Sequence, residues 1–327
     1  MSAAHFDTYC SETASPLVLA LSGGVGGAKL AVGLADALNP EQLIVAANIA
    51  DDFQHLGLSI SPDLDTVMYT LAGINDQQRG WGLENETWNA MSAFADLGGE
   101  TWFQLGDRDL ATHVLRTHAL NQGRSLSEVT ADLCRQLAVS HPLIPASDDP
   151  VRTRVYSDVG ELAFQDYFVN RQCQPAVSGF YFQGIEQAKM SEGLAAALAN
   201  PQLTMIIICP SNPFVSIDPI LELEDVRAKM KAHPAPVIAI SPIVAGMAIK
   251  GPAAKMMQEL SMPVTAMAVA EHYGNLLDGF IIDESDRASE AALKGLGLAV
   301  HCTKTVMKTQ QDKRTLAAES LAFGASL

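Results

Sequence analysis

The sequence predicts an α/β fold, a Rossmann-like three-layer α/β/α sandwich with a mainly parallel sheet and a largely helical insertion. Three observations predict it. Continuous apolar runs of strand length recur along the chain, stretches with helical periodicity alternate with them, and a glycine-rich turn joins the first run to the first helix. Strands buried on both faces of a parallel sheet have this uninterrupted apolar character.

The elements begin with an apolar strand over residues 17–21, which leads into the turn at 22–29. Helical spacing follows over 29–38 and stops at Asn39-Pro40, and a second apolar strand covers 43–47. The order strand, glycine turn, helix, strand is typical of the opening of a doubly wound parallel sheet.

Residues 66–139 have mainly helical periodicity, and we expect a helical insertion over about 66–140. Acids at 63–67 and the Ser-Leu-Ser-Glu segment at 125–128 indicate two helix starts. The Asp158-Val159-Gly160 turn predicts a β-hairpin over 151–169.

Further strands are predicted in the second half of the chain, with helices between them. The strands cover 205–209, 237–240, 264–269, 280–282 and 298–300, and the helices include 223–231 and 253–260. Neither an internal repeat nor a low-complexity linker is present, so we expect one domain over residues 1–327.

Composition narrows the class of protein. A formal charge of −16 excludes sequence-independent nucleic-acid binding, which needs a basic face. Five scattered cysteines without CxxC spacing predict reduced thiols and no zinc site or disulfide framework. Residues 1–16 lack the pattern of a signal peptide, and no apolar run is long enough for a membrane span, so we expect a cytoplasmic protein without a membrane partner.

The glycine turn, SGGVGGAK at 22–29, resembles two phosphate-binding motifs and fits neither. A Walker A loop needs Ser or Thr after its lysine, where this chain has Leu30, and a dinucleotide fingerprint needs a glycine where this chain has Lys29. Small residues before a helix still let backbone N–H groups approach a phosphate. The candidate nucleotide-binding residues of the turn are Gly23, Gly24, Gly26, Gly27 and Lys29. The alternative is a tight turn without a ligand.

Six carboxylates fall in three short polar segments, which are 51–52, 63–65 and 107–109. Grouped acids repel one another and resist burial, so a cation or a proton-transfer role is the usual reason for such grouping. Acids after a phosphate-binding turn are typical of phosphoryl transfer. The alternatives are a solvated surface, helix capping at 63–65, and a local salt-bridge network with Arg108 at 107–109. His113, four residues after Asp109, is either a further ligand or a structural histidine.

Polar corners follow two of the later strands. Ser211 and Asn212 come after the strand near 209, and Ser241 follows the strand near 240. These side chains suit hydrogen bonds to a base or ribose, and Lys250 suits a diphosphate. Capping and turn formation is the alternative explanation.

The combination of these motifs is more specific than any one of them. In chain order they are the glycine turn, NIADD at 48–52, SPDLDT at 61–66, RGWG at 79–82, LGDRD at 105–109, SDDPV at 147–151, PSNP at 210–213, SPI at 241–243 and KGPA at 250–253. Together they resemble the 2-phospho-L-lactate transferases of coenzyme F-420 biosynthesis, the CofD family, called FbiA in actinobacteria. The resemblance runs from about residue 17 to 307.

The resemblance implies a reaction. Such enzymes bind a guanosine diphosphate ester of lactate or enolpyruvate together with Fo, a deazaflavin with a ribityl chain. The terminal hydroxyl of Fo attacks the phosphorus nearest the acid, GMP leaves, and a phosphodiester forms with the help of Mg²⁺. The family also implies a homodimer.

By the same resemblance, Asp65 is expected to contact Fo near the metal, and Gln104 occupies a position where relatives often carry a basic residue. Arg79 and Trp81 of the RGWG segment complete the expected Fo site. From the chemistry we predict Asp51, Asp52 and Asp65 as Mg²⁺ ligands, with Asp65 and Asp52 as catalytic residues. This assignment predicts that Asp65→Asn lowers turnover by orders of magnitude while the fold is retained.

Two rival functions remain open at the level of sequence. One is a non-catalytic CofD-like regulator that binds nucleotide sugars, against which the RGWG and LGDRD segments count, because Fo needs a site of its own. The other is a nicotinamide-dependent oxidoreductase, against which the missing third glycine and the surplus of acids count.

Overall fold

The structure, a computed structural model, describes residues 16–249 and 251–327. The predictions for residues 1–15, including Cys10, and for Lys250 lie outside the described residues.

The strands of the described chain range from two to seven residues in length. In order they are β1 (Leu17–Ser22), β2 (Leu43–Ala47), β3 (Phe53–His55), β4 (Leu58–Ile60), β5 (Leu143–Pro145), β6 (Arg152–Ser157), β7 (Gly160–Ala163), β8 (Val177–Gln183), β9 (Leu203–Ile208), β10 (Val237–Ile240), β11 (Ile243–Val244), β12 (Met247–Ala248), β13 (Gly279–Asp283) and β14 (Ala299–Thr303).

The α-helices alternate with these strands, as the apolar pattern predicts. They are α1 (Gly24–Ala37), α2 (Pro62–Leu71), α3 (Asn89–Asp96), α4 (Asp107–Asn121), α5 (Leu126–Gln136), α6 (Glu192–Leu198), α7 (Asp218–Leu221), α8 (Val226–Ala232), α9 (Ala253–Glu259), α10 (Ala266–Tyr273), α11 (Glu290–Gly295) and α12 (Gln310–Gly324).

Seven strands form the central sheet in the order β14-β13-β10-β9-β1-β2-β5, and every neighbouring pair is parallel. The chain starts in the middle with β1, moves outward through β2 to β5, and then returns to β9 on the other side of β1. Helices cover both faces, so the predicted Rossmann-like sandwich is confirmed. Folds of this type bind ligands where the strand order reverses, which here is between β1 and β9.

Burial explains why the strands read as unbroken apolar runs. Every residue of β1, β10 and β13 is buried, as are five of the six residues of β9. On the helical side, α1 packs against both α2 and α12. No helix in the described part of the chain is long and apolar enough to cross a membrane.

Most of the predicted local structure is confirmed. Helix α2 begins at Pro62 with two acids in its first turn, and α5 begins at a capping box in which Ser125 Oγ accepts from the Glu128 N–H at 3.1 Å. The predicted hairpin is formed by β6 and β7, and β8 pairs antiparallel with β6 to make a three-stranded sheet.

One predicted strand is wrong. Residues 264–269 lie largely in α10, where Thr265 Oγ1 accepts from the Ala268 N–H at 3.1 Å and so caps the helix. The apolar run is rich in Ala and Met, which favour helix, and the cap decides between the two structures. The short strands β3, β4 and β5 and the longer β8 were not predicted.

The segment between β2 and β5 is mainly helical, although α2 packs against α1 and begins four residues before the predicted insertion at 66. Its outer part has a small apolar core of its own. Ile60, Met91 and Leu105 are buried there, with Trp88 and Phe103 packed against them. This second core joins the β3–β4 hairpin to α3 and α4 and supports the loops that reach the pocket described next.

Candidate active site

A pocket of about 630 Å³ lies at the carboxyl edge of the central sheet. Its floor comes from the turn after β1, with Gly23, Gly24, Gly26 and Lys29, and from the loops after β9 and β10, with Pro210, Ser211, Asn212, Ser241 and Pro242. This is the point at which the strand order reverses. The pocket is therefore where the fold class predicts a ligand site.

The outer walls of the pocket are largely aromatic. Trp81, Phe103 and Gln104 come from the segment between β2 and β5, and Phe164 and Phe168 come from the turn after β7. The rings of Phe164 and Phe168 stack with their centroids 5.5 Å apart. Such a wall suits a flat ring system.

Arg79 lines the same wall but is already engaged by the protein. Its guanidinium lies 5.1 Å from the Trp81 ring centroid and 4.9 Å from that of Trp88, its Nε is 2.9 Å from Asp76 Oδ2, and it donates to the Leu83 carbonyl at 2.8 Å. Arg79 therefore fixes the loop that presents Trp81.

The glycine turn is shaped by close contact. A Cβ at Gly26 would clash with the Pro210 carbonyl oxygen, and a Cβ at Gly27 would lie 2.6 Å from Ser211 Oγ. Gly24 has φ +61°, which favours glycine. Gly27 does not line the pocket, so its role is to let the loop after β9 approach α1.

Two carboxylates face the pocket from different elements. Asp63 accepts from the Gly24 N–H at 2.7 Å and from Asn48 Nδ2 at 3.0 Å, so it lies at the N-terminus of α1. Asp51 follows β2, and its Oδ1 is buried without a hydrogen-bond partner among residues 16–249 and 251–327. Within those residues neither carboxylate forms a salt bridge. We call Asp51 and Asp63 the front pair.

The electrostatics of the front pair favour a positive ligand. Burial and then the neighbouring Asp63 raise the pKa of Asp51 well above its ordinary value. Burial raises the pKa of Asp63 to about 6, although hydrogen bonds from Asn48 and Gly24 oppose the shift. Two neighbouring buried acids whose pKa values are raised would both ionise more readily beside a cation.

Asp52 and Asp65, also predicted as metal ligands, do not line the pocket. Asp65 pairs with the buried Arg116, whose Nη1 donates to Asp65 Oδ2 at 3.0 Å and whose Nη2 is paired with Asp65 Oδ1. Asp52 accepts from Ser61 Oγ at 2.8 Å. Burial raises the pKa of Asp52 to about 7 against the influence of Arg152.

Asp109 extends this buried arrangement. Its Oδ1 accepts from the Tyr69 hydroxyl at 2.7 Å, and its Oδ2 lies 3.3 Å from His113 Nε2. His113 Nδ1 is 3.2 Å from Arg116 Nη1. Asp65 and Asp109, with Arg116, His113 and Tyr69, are called the rear network; Asp52 lies outside it, hydrogen-bonded to Ser61. His113 is a structural residue here, one of the two roles considered for it.

The LGDRD segment at 105–109 builds structure and does not line the pocket. Leu105 is fully buried in the second core, and Asp107 accepts from the Ala90 N–H at 2.9 Å at the start of α3. Hydrogen bonds from Thr87, Ala90 and Asn89 lower the pKa of Asp107 to about 2. Arg108 donates to the Glu84 carbonyl at 2.8 Å. Gln104, just before the segment, is the residue that reaches the pocket.

The polar corners after β9 and β10 line the pocket, and part of their hydrogen-bonding capacity is used within the protein. Ser211 Oγ accepts from the Gly23 N–H at 3.1 Å, and Asn212 Oδ1 accepts from the Phe214 N–H at 3.0 Å. Ser241 Oγ donates to the Ile243 carbonyl at 2.8 Å. Asn212 Nδ2 contacts only the Met256 sulfur, at 3.9 Å, so it keeps capacity for a stronger hydrogen bond to a ligand.

The predicted metal set of Asp51, Asp52 and Asp65 is not brought together. Among residues 16–249 and 251–327 no group of three or more His, Cys, Asp or Glu residues could hold a metal ion. The front pair is sufficient for Mg²⁺ without a third carboxylate. This ion commonly takes one or two carboxylates and completes its coordination shell with water and substrate phosphates. The unpartnered Asp51 Oδ1 is the atom that best matches this requirement.

Four site residues were missed. Asp63 and Asn48 stand inside the SPDLDT and NIADD motifs, so the signal was present, but Asp65 and not Asp63 was chosen from the pair of acids in α2. Phe164 and Phe168 fall outside every motif, and only the tertiary fold brings them to the pocket.

Comparison with protein families identifies the relationship. The profile of the family described as 2-phospho-L-lactate transferase CofD matches residues 18–318. The chain belongs to the CofD family.

Relatives named as 2-phospho-L-lactate transferase and as phosphoenolpyruvate transferase are similar over nearly the whole chain. A 2-phospho-L-lactate transferase of Methanosarcina acetivorans is 39% identical and the alignment covers 92% of this chain and 96% of the relative. A phosphoenolpyruvate transferase of Kitasatospora aureofaciens is 38% identical over 94% of this chain and 97% of the relative. The predicted CofD assignment and the predicted enzyme class, a transferase, are confirmed.

Among solved structures, a protein of the UPF0052 family from Bacillus halodurans superposes with a TM-score of 0.62. The match covers 94% of this chain and 99% of that protein at 13% sequence identity. At this identity the likeness concerns the fold alone.

Proposed function

We propose that this CofD-family protein transfers a 2-phospholactyl or phosphoenolpyruvyl group from its guanosine diphosphate ester to the ribityl hydroxyl of Fo and releases GMP. The observation that carries the proposal is the front pair, which lies beside the N-terminus of α1 in the same pocket as an aromatic wall. The N-terminus of α1 suits phosphates, the two carboxylates suit a cation, and the aromatic wall suits a flat acceptor.

The proposed cofactor is Mg²⁺, held by Asp51 and Asp63 in place of the predicted Asp51, Asp52 and Asp65. When bound, the ion would neutralise charge on the diphosphate and on the departing GMP. Asp63 is oriented for this role by the Gly24 N–H and by Asn48, which itself donates to the Val215 carbonyl at 3.2 Å. The pair is thus preorganised on two rigid elements, the end of β2 and the start of α2.

The nucleotide half of the donor is assigned to the turn after β1 and to the loops after β9 and β10. The first N–H groups of α1 lack partners within the helix, and the helix dipole favours an anion at this end. Ser211 supports the turn by accepting from the Gly23 N–H at 3.1 Å. Val25 and Gly26 of α1 and the loop after β9 line the same pocket, so both can offer backbone groups to one ligand.

The acceptor ring is assigned to the aromatic wall, with Trp81 held by Arg79 and with Gln104 at the polar edge. Asp65, expected at this position by resemblance, is committed to Arg116 and does not line the pocket. Phe168 is 36% exposed and Trp81 is 42% exposed, so both offer open ring surface to a planar molecule.

The reaction balances with the groups assigned here. The ribityl oxygen forms a bond to the distal phosphorus, the bond from that phosphorus to the bridging oxygen breaks, and GMP leaves with that oxygen. Among described residues, only Asp51 and Asp63 bring carboxylates to the pocket lining, so the hydroxyl proton passes to one of them and then to solvent. Most of the rate acceleration then comes from positioning and charge neutralisation.

The test is a mass-spectrometric assay of the purified protein with Fo, Mg²⁺ and each guanosine diphosphate ester in turn. A phosphodiester-extended deazaflavin together with GMP is the expected result, and the productive ester identifies the donor. Nucleotide binding without product from any ester would contradict the proposal and favour the regulatory alternative. The homodimer and the cytoplasmic location stay predictions, and light scattering tests the first.

A further inference from the structure

A second pocket of about 90 Å³ adjoins the main one. The two share Val25, Lys29, Thr66, Gly80 and Trp81, so the small pocket opens beside the first turns of α1 and α2. Its size admits a group of a few heavy atoms, and it is too small for a purine or a deazaflavin ring.

The lining of the small pocket is basic although the protein as a whole carries a charge of −16. Lys29, Lys308 and Lys313 line it, and none of the described residues that line it is acidic. The rest of the polar lining is neutral and includes Thr70 and Asn75. A positive pocket in an acidic protein is a specific feature and does not reflect the average composition.

Lys313 is the most informative of the three lysines. It is only 8% exposed, and within the described residues its side chain forms neither a hydrogen bond nor a salt bridge. Burial lowers its pKa, and the charge of Asp36 opposes that shift. Its ammonium has no hydrogen-bonded partner among the described residues and lines the small pocket, so the position suits an anionic ligand.

The other two lysines set the position of the small pocket. Lys29 Nζ donates to the Met307 carbonyl at 2.9 Å, which ties the segment before α12 to α1. Lys308 is exposed and lies at the mouth, where its ammonium can meet an incoming anion. Together they place positive charge on both sides of a narrow space next to the front of α1.

We propose that this pocket, called the lysine pocket, binds a single small oxyanion, the carboxylate at the acid end of the donor ester. The assignment rests on the proposed function, because it needs a donor whose acid group projects from the diphosphate. Free inorganic phosphate offers the same chemistry from another source. Of the two, the donor carboxylate is covalently held beside α1, so its effective concentration at the lysine pocket is higher.

The experiment compares two guanosine diphosphate esters by calorimetry with Mg²⁺ and without the acceptor. One is the lactate ester, and the other is the isopropyl ester, which keeps the branched carbon and lacks the carboxylate. Wild-type protein is expected to prefer the lactate ester, and Lys313→Met is expected to reduce its affinity about tenfold while the affinity for the isopropyl ester stays within about twofold. Lys308→Met is expected to have a smaller effect of the same kind, about threefold, because Lys308 is exposed.

Lys304→Met is the matched control, since Lys304 is exposed, lines neither pocket and gives the same change in charge. Equal weakening of both esters by Lys313→Met, or no weakening of either, would overturn the proposal. If Lys313→Met fails to fold, the same comparison with Lys308→Met decides.

A titration with inorganic phosphate separates the two sources of the anion. Phosphate binding that depends on Lys313, without a Lys313-dependent preference for the lactate ester, would assign the pocket to free phosphate and overturn the carboxylate assignment. Failure of wild-type protein to bind either ester would instead contradict the proposed function itself. That outcome can be told apart from failure of the lysine-pocket proposal, because it is seen with wild-type protein alone.

Discussion

The front pair and the rear network contain acids that are near neighbours in sequence and have opposite surroundings. Asp51 and Asp63 face the pocket without a salt bridge among the described residues, whereas Asp65 and Asp109 are met by Arg116 and His113. A buried carboxylate with its own cation is a structural group, and one without is free to bind a cation from outside. The difference separates residues that hold the fold from residues that suit a ligand.

The largest expected effect comes from removing one charge of the front pair. Asp51→Asn is expected to lower turnover at least about a hundredfold, because the assigned Mg²⁺ site loses a ligand. The same variant should unfold at the same or a higher temperature without metal, since the repulsion by Asp63 is removed. Steady-state turnover and thermal unfolding with and without Mg²⁺ measure both effects.

Asp107→Asn is the control for this prediction, because it makes the same chemical change at a half-buried residue that does not line the pocket. Its turnover should match that of the wild type. Near-normal turnover of Asp51→Asn, or a Mg²⁺-induced shift in melting temperature as large as that of the wild type, would remove Asp51 from the site.

Substitutions in the rear network should mainly lower the stability of the fold. Arg116→Met leaves Asp65 buried without its cation, and Asp65→Asn leaves Arg116 without its anion, so each is expected to lower the free energy of unfolding by about 3–5 kcal/mol. The double variant should lose less free energy of unfolding than the two single variants lose together. Urea unfolding of the three variants gives the coupling energy.

This expectation revises the sequence-based prediction for Asp65→Asn, which placed its effect on turnover with the fold retained. A stable Asp65→Asn protein with strongly reduced turnover would show that Asp65 acts in the reaction. The rear network could then no longer be described as purely structural.

The pH dependence of stability sharpens the comparison. Folding raises the pKa of Asp63 to about 6 and of Asp52 to about 7, above the value of about 3.9 in an unfolded chain. Between about pH 4 and 7 the native state therefore binds more protons than the unfolded state, and the free energy of unfolding should fall as pH rises. Asp109 acts in the opposite sense: burial opposes its shift, yet His113 and Tyr69 hold its pKa below the ordinary value.

Metal-free protein unfolded in urea across this pH window measures the slope. Asp63→Asn should make the slope less negative, because it removes one of the groups that take up a proton on folding. A slope that is unchanged by Asp63→Asn would show that the raised pKa belongs to other groups.

The smallest expected effect is that of Tyr69→Phe. The Tyr69 hydroxyl donates to Asp109 Oδ1 at 2.7 Å inside the rear network, so its loss should cost about 1 kcal/mol of unfolding free energy. Turnover per folded molecule should not change. A decrease in turnover without a loss of stability would place the rear network in the reaction.

Much of the fold was predictable because it depends on local pattern. Continuous apolar runs marked the buried strands β1, β2, β9, β10 and β13, acids in the first turn marked the start of α2, and a capping box marked the start of α5. The run at 264–269 was assigned to the wrong structure, because an apolar stretch of this length suits a buried helix or a buried strand equally well and a single cap decided between them. Short strands such as β5 contain too few residues to show a recognisable hydrophobic pattern, so they were not predicted.

The sequence by itself determined the CofD family, the parallel α/β sheet and the edge of the sheet at which the acids gather. It did not determine which acid of each pair faces the ligand. Residues two apart on a helix point about 200° away from each other, so Asp63 and Asp65 must serve opposite sides of α2. Only the tertiary structure, which brings Arg116 from α4 to one side and Gly24 from α1 to the other, decides which side is the pocket.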